Sequence, residues 1–485
     1  MLLCSRMSAK LARLRPGDQI ARHRAGARPS ACWRETLIVT KEADCNMTVG
    51  RQRTGLKANL EVIGLFALLL SVVTSFLVGF LLREDSIGGA SFDFYYFHWP
   101  LVKLFSAISW GQAIADYGGI AAANNPLLYM IASLLPFRDD QTSYHVITFI
   151  VALLTWPLLS WAYYRRYSKY GIDWLWASFG ASTILISPSF RSSAFWGTTD
   201  YVPLVFCAVT SLLLSRFQDS EAGKARAVDL LTLIALAVVS SCAFYTRQFY
   251  AFLPIFAAWT VLTRTETPPF WVLSVFLVTM LPEMVLLYLW KGINPPPTQS
   301  DFHPATISVV LVGANVGLLS TPFILGSIRR SLADILPGWW GARSTVVTLA
   351  GLLVFIVALR ATAWPALGGG IIEKAGLRMG ALGTPFILTV SYFGLVAVVL
   401  FSIRSATNAL LVGAFLVPFF TSLFSYQHYL EPALAVALFL FADTQTARTV
   451  FSKRVLTCNF VFSALILAIA IVYYDLFQHL SEIPK

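Results

Sequence analysis

Charge is scarce in this chain. Asp, Glu, Lys and Arg make up 13% of its 485 residues, against about 25% in soluble domains. Hydrophobic residues make up 57%, and the mean hydropathy is +0.68. Such a composition cannot cover a soluble core and points to a polytopic membrane protein. Cysteine is scarce too. The six residues, Cys4, Cys32, Cys45, Cys207, Cys242 and Cys458, form no CxxC and no metal-ligand spacing, so they read as small buried hydrophobes or tail thiols rather than a zinc or redox site. There is no P-loop, no GxGxxG and no GxSxG, which leaves nucleotide binding and nucleophile-elbow hydrolysis without a motif. The first residues lack the apolar core of a signal peptide.

The net charge is +11, but its distribution argues against nucleic acid. Twelve of the 36 Lys and Arg precede Leu60, and many others flank apolar segments. This is a topology signal. Residues 1–57 read as a disordered, basic, cytosolic tail, with Met47 as an alternative start. Residues 58–485 read as a single all-α membrane domain. Its apolar segments fall at about 59–82, 145–164, 172–189, 195–215, 228–246, 248–263, 270–290, 306–327, 344–362, 381–402, 407–425, 430–446 and 456–474, about thirteen transmembrane helices. With the N-terminus cytosolic, loops on that side hold fourteen Lys and Arg beyond the tail, and outer loops hold ten, in keeping with the positive-inside rule. The loop at 83–144 is then periplasmic or lumenal. Its amphipathic pieces, around 93–111 and 125–137, are expected to be interfacial helices.

Under this topology the unusual residues gather on the outer face. Asp93, His98 and Asp116 lie in the first outer loop, the first two inside Ser91-Phe92-Asp93-Phe94-Tyr95-Tyr96-Phe97-His98-Trp99-Pro100. Arg191, Asp200, Arg247-Gln248, Arg378, His428 and Glu431 follow in later outer turns. A carboxylate held among aromatics at a bilayer face is a candidate general base, because burial and neighbouring charges move its pKa. Tyr and Trp line membrane interfaces in any case, and a loop Asp is often simply solvated. Arginines suit a phosphate group, since the guanidinium fork matches its oxygens and stays charged. Ionisable groups beside membrane segments are costly, which makes each a candidate for function.

At these residues the chain resembles the GT-C superfamily of membrane glycosyltransferases. Within it the chain is most similar to the alpha-1,2-glucosyltransferase family of dolichol-linked oligosaccharide assembly. Phe97-His98-Trp99-Pro100 after Asp93 is similar to that family's acid-then-Phe-His-x-Pro loop. Thr199-Asp200-Tyr201, Arg247-Gln248 and the cluster around His428 and Glu431 are similar to its later motifs. Two departures stand out. The family's acidic pair is here Asp93 followed by Phe94, and the spacing from Asp93 to His98 is one residue longer.

The resemblance implies an inverting hexosyl transfer. The donor would be a polyprenyl-phosphate-linked sugar, and the acceptor a hydroxyl on a glycan, lipid or protein. The site would face the periplasm or lumen of a bacterial inner membrane, or of an endoplasmic reticulum membrane in a eukaryote. Asp93 would be the base, with His98 and Asp116 orienting it. Arg247 would hold the donor phosphate, with Arg191 and Arg378 as further options. Gln248, Asp200, His428 and Glu431 would complete the substrate site. Some members of the superfamily use a divalent metal, and the scattered acids here leave that open. The rival reading is a lipid-linked saccharide flippase. It would place ionisable groups mid-helix, as Glu283 beside Pro282 is placed.

Overall fold

The computed structural model describes residues 59–117, 124–135, 140–218, 226–291, 306–335, 351, 370–420 and 427–477. The chain divides into two compact units, Met1–Glu61 and Val62–Lys485. Of the first, only residues 59–61 are described, and they are helical. No strand occurs among the described residues.

Six helices are long and apolar enough to cross a membrane: Asn59–Leu81 (α1), Gln141–Tyr170, Pro269–Trp290, Val309–Gly326, Gly380–Ser402 and Lys453–Tyr474. Five shorter apolar helices accompany them: Trp174–Ile186, Val202–Phe217, Leu230–Thr246, Ala406–Phe419 and Tyr429–Phe441. The chain is therefore a helical membrane protein by length and composition, with six candidate spans rather than an established thirteen. The expected span at 344–362 lies almost wholly outside the described residues.

Between α1 and the second long helix come α2 (Ala90–Asp93), a π turn (Phe94–His98), α3 (Trp99–Ala107), α4 (Trp110–Asp116) and α5 (Leu127–Ser133). These are the short helices expected in the first outer loop. They pack around a small core of Phe94, Leu101, Val102, Phe105, Tyr117 and Tyr129, completed by Tyr144, Leu286 and Trp290 from two later long helices. The chain continues through α6 (Gln141–Tyr167), α7 (Trp174–Ser182), α8 (Pro188–Trp196), α9 (Val202–Gln218), α10 (Leu230–Thr246), α11 (Phe252–Arg264) and α12 (Pro269–Trp290). Then follow α13 (Thr306–Ile335), α14 (Gly370–Arg378), α15 (Gly383–Ser402), α16 (Ala406–Phe420), α17 (Gln427–Phe441), α18 (Thr444–Val450) and α19 (Lys453–Ile471).

Local sequence sets the helix starts. The Asp140, Asp173 and Asp229 carboxylates accept backbone N–H bonds in the first turns of α6, α7 and α10, and so satisfy donors that a helix leaves unpaired. The apolar stretch 172–189 is not one helix. Pro188 holds Ser187 in an extended conformation, as the residue before proline prefers, and Ser187 then caps α8. The break turns α8 into a short, almost fully buried helix. It ends at Gly197 with φ +67°, a conformation that glycine adopts without steric cost.

Helices α13 and α15 meet at glycines. A Cβ on Gly394 would run into the backbone of Gly313 and Gly317. Small residues four apart allow this close approach, the usual way that apolar helices associate in lipid.

Candidate active site

The site is assembled around α8 and the turn after it. Ser193, near the end of α8, receives the Asp200 N–H at 3.1 Å and the Thr198 hydroxyl at 2.7 Å. That fixes the Asp200 backbone. Arg247 ends α10 in an extended conformation and forms a buried ion pair with Asp200. The Tyr429 ring lies 4.6 Å from its guanidinium carbon. Arg247 is 5% exposed, and its Nε is buried without a hydrogen-bond partner among the described residues. A pocket with about 230 Å³ of space between atoms opens here, lined by Asp200, Arg247, Phe249, Tyr250, Tyr429 and Pro432. Gln248 is buried directly after Arg247.

Asp93 comes to this pair from α2, in the segment between α1 and α6. Burial raises its carboxyl pKa from 3.8 to about 6. The Asp200 charge adds to the rise, Arg247 opposes it, and Asp85 adds a smaller contribution. A carboxylate with a pKa near 6 is ionised at neutral pH yet more basic than a solvated one, as a general base should be. The π turn follows directly. Residues five apart on an α-helix lie about 140° apart around the axis, and i→i+5 bonding narrows that offset.

His98 is 3% exposed. Burial, and then the Arg247 charge, push its pKa down to about 3, so the imidazole is neutral. Its Nδ1 lies 2.7 Å from the Tyr129 hydroxyl, which also accepts from Asn124 Nδ2 at 3.3 Å. The phenol is itself kept protonated, its pKa raised by burial. Asn125, the next residue, donates to the Phe244 carbonyl at 2.6 Å. That bond ties the first outer loop to α10 one turn before Arg247.

The other expected residues are placed as follows. Arg191, 1% exposed, forms an ion pair with Glu84 and donates to the Ser75 and Leu185 carbonyls. Its guanidinium is a strut between α1 and α8. Gly79 makes room for it, since a Cβ there would meet both Arg191 and Glu84. Glu431 accepts from the Ser189 hydroxyl at 2.7 Å and lines a second pocket of about 460 Å³ with Ser187, Asn459 and Ser463. Arg378 stacks 4.8 Å from Tyr473, beside Lys374 on Tyr474. Tyr474 in turn packs against Gly88 at the start of the first outer loop. Asp116 is exposed at the end of α4 and joins none of these groups among the described residues. The His428 side chain lies outside the described residues.

Among the described residues no three His, Cys, Asp or Glu side chains gather as metal ligands, and Arg247 already holds the Asp200 carboxylate. Sequence reasoning gave Tyr129, Asn124 and Glu84 no role in the constellation. Asn124-Asn125-Pro126 ahead of a helix was the available signal for the first two. A lone Glu closing a span, opposite a buried Arg, was the signal for the third. No family model, curated protein or solved structure matches the chain.

Proposed function

We propose that this protein is a membrane glycosyltransferase. It moves a hexose from a polyprenyl-phosphate-linked sugar to an acceptor hydroxyl at the periplasmic or lumenal face, inverting the anomeric centre. One observation carries this reading. Asp93, a carboxyl raised to about 6, sits within electrostatic reach of a buried Asp200–Arg247 pair beside an aromatic-walled pocket.

Asp93 takes the proton from the acceptor hydroxyl as that oxygen attacks the anomeric carbon. The bond from that carbon to the phosphate oxygen breaks on the opposite face, and the lipid phosphate leaves as an anion. Arg247, which lines the pocket, neutralises that anion, with Asp200 and Tyr429 holding the guanidinium in place. An arginine pre-oriented by its own carboxylate does not reorganise as charge develops, which is what makes such groups effective. Tyr429 and Tyr250 offer faces on which a sugar ring can stack.

The test is transfer of label from polyprenyl-phosphate sugars in membranes, comparing the intact chain with Asp93→Asn at equal expression. Label in product with the intact chain and not with the variant supports the proposal. Equal transfer by both removes Asp93 as the base.

A flippase reading has one observation of its own. Glu283, 2% exposed in the span α12, has an oxygen without a hydrogen-bond partner among the described residues. Lipid-linked saccharide crossing vesicles without any label transfer would favour it.

A further inference from the structure

The buried chain Asn124–Tyr129–His98 carries more than a positional role. Asn124 Nδ2 donates to the Tyr129 oxygen at 3.3 Å. The phenol has one proton of its own to give, and His98 Nδ1, 2.7 Å away, is the nearer of its two side-chain neighbours. A hydroxyl has one donor hydrogen, and a neutral imidazole has one N–H and one bare nitrogen. If Tyr129 donates to Nδ1, the ring proton must reside on Nε2. The Asn124 backbone is held as well, because the Tyr117 hydroxyl donates to its carbonyl. Among the described residues nothing takes a hydrogen bond from Nε2.

We infer that His98 is held as its Nε2–H tautomer by Tyr129 and Asn124. It thereby serves as a fixed, neutral hydrogen-bond donor beside Arg247 to the phosphate oxygens of the sugar donor, not as a proton acceptor. Tyr129 and Asn124 are positioning residues, since they act only through the imidazole. The ligand chemistry is an oxyanion. A donor Nε2–H adds a directional bond there without adding charge to a buried cluster that already contains Arg247, Asp200 and Asp93. The assignment of the anion rests on the glycosyltransferase reading; the assignment of the tautomer does not.

The experiment separates the two. The full chain, labelled with ¹⁵N-histidine in lipid nanodiscs, gives imidazole nitrogen resonances, and a difference spectrum against His98→Gln identifies those of His98. The expected result is a protonated-type Nε2 and a pyridine-type Nδ1, unchanged between pH 5 and 8. Tyr129→Phe should shift both nitrogens toward exchange-averaged values. An Nδ1–H signature in the intact chain, or a Tyr129→Phe spectrum identical to it, overturns the tautomer assignment.

The role is read from two further variants. The Gln amide nitrogen reaches close to the Nε2 position, and the Asn amide nitrogen close to Nδ1. His98→Gln should lower transfer by no more than about tenfold and His98→Asn by about a hundredfold, the cost of one oxyanion donor. The reverse order would make Nδ1 the working atom and overturn the donor role. Inorganic phosphate should move the Nε2 resonance, and an unmoved resonance at saturating phosphate overturns the anion assignment even where no sugar is transferred.

Discussion

Asp93→Asn should make the protein more stable and inactive at once, and the gain should depend on pH. The carboxyl is raised from 3.8 to about 6, chiefly by burial. Below pH 3.8 it is neutral both folded and unfolded and costs the fold nothing. As pH rises through about 6 the folded state takes on a buried charge that the unfolded state bears more easily, and the stability present at low pH is lost. The interval from 3.8 to about 6 corresponds to about 3 kcal/mol at most. Asparagine keeps the shape and never ionises. At pH 7.5 the variant should therefore unfold at higher temperature or denaturant by the equivalent of about 1–3 kcal/mol, and near pH 4 the difference should vanish. The assay is unfolding of the full chain in detergent at both values, paired with transfer. In the intact chain, transfer should fall about tenfold per pH unit below 6, as a single required base predicts. A variant no more stable than the parent at pH 7.5, or a gain of equal size at pH 4, would refute the assignment of a buried, charged Asp93. A rate unchanged down to pH 5 would refute its role as base.

Three further outcomes follow from the same geometry. Arg191→Met should cost about 3–5 kcal/mol by stranding buried Glu84. Arg191→Met with Glu84→Gln should recover part of that, read as melting temperature and yield in detergent. Arg247→Lys keeps the charge but loses the fork held by Asp200 and Tyr429, and should lower transfer by about 10²–10³-fold with little change in melting temperature. Gly394→Leu places a side chain where α15 meets the backbone of α13. It should destabilise by about 1–3 kcal/mol in thermal unfolding, whereas Gly413→Ala, which meets open space, should not.

The sequence made the helical class plain, because a chain with this little charge has few other ways to satisfy its backbone in lipid. It also assigned Asp93, Arg247 and Asp200 to one face, through positive-inside counting and a family resemblance rather than through any contact. The span count was harder to read. Periodicity does not register where an apolar stretch breaks, and Ser187-Pro188 divides 172–189 into α7 and α8. That same break gives α8 its place in the site, since Ser189, Arg191 and Ser193 all leave it toward different partners.

Pairings were the least legible feature. Arg191 and Arg247 look alike in the sequence, each a lone guanidinium beside apolar stretches, yet their surroundings differ. Arg191 has Glu84 and two carbonyls around it and no donor left over for a ligand. Arg247 has a single carboxylate, the ring and a side-chain hydrogen bond of Tyr429, and an unpartnered Nε. A buried cation must be neutralised by something, and under the proposed function how completely the protein does so separates a brace of the fold from a group left for an anion. Those partners stand 107 and 47 residues away, so the distinction belongs to the packing of helices and not to either local motif. The Asn125 bond to the Phe244 carbonyl has the same long-range character. It fastens the first outer loop, with Asp93 and His98, to the helix that ends in Arg247. Under the proposed transfer, that backbone carbonyl would hold the base near the anion site before any substrate arrives.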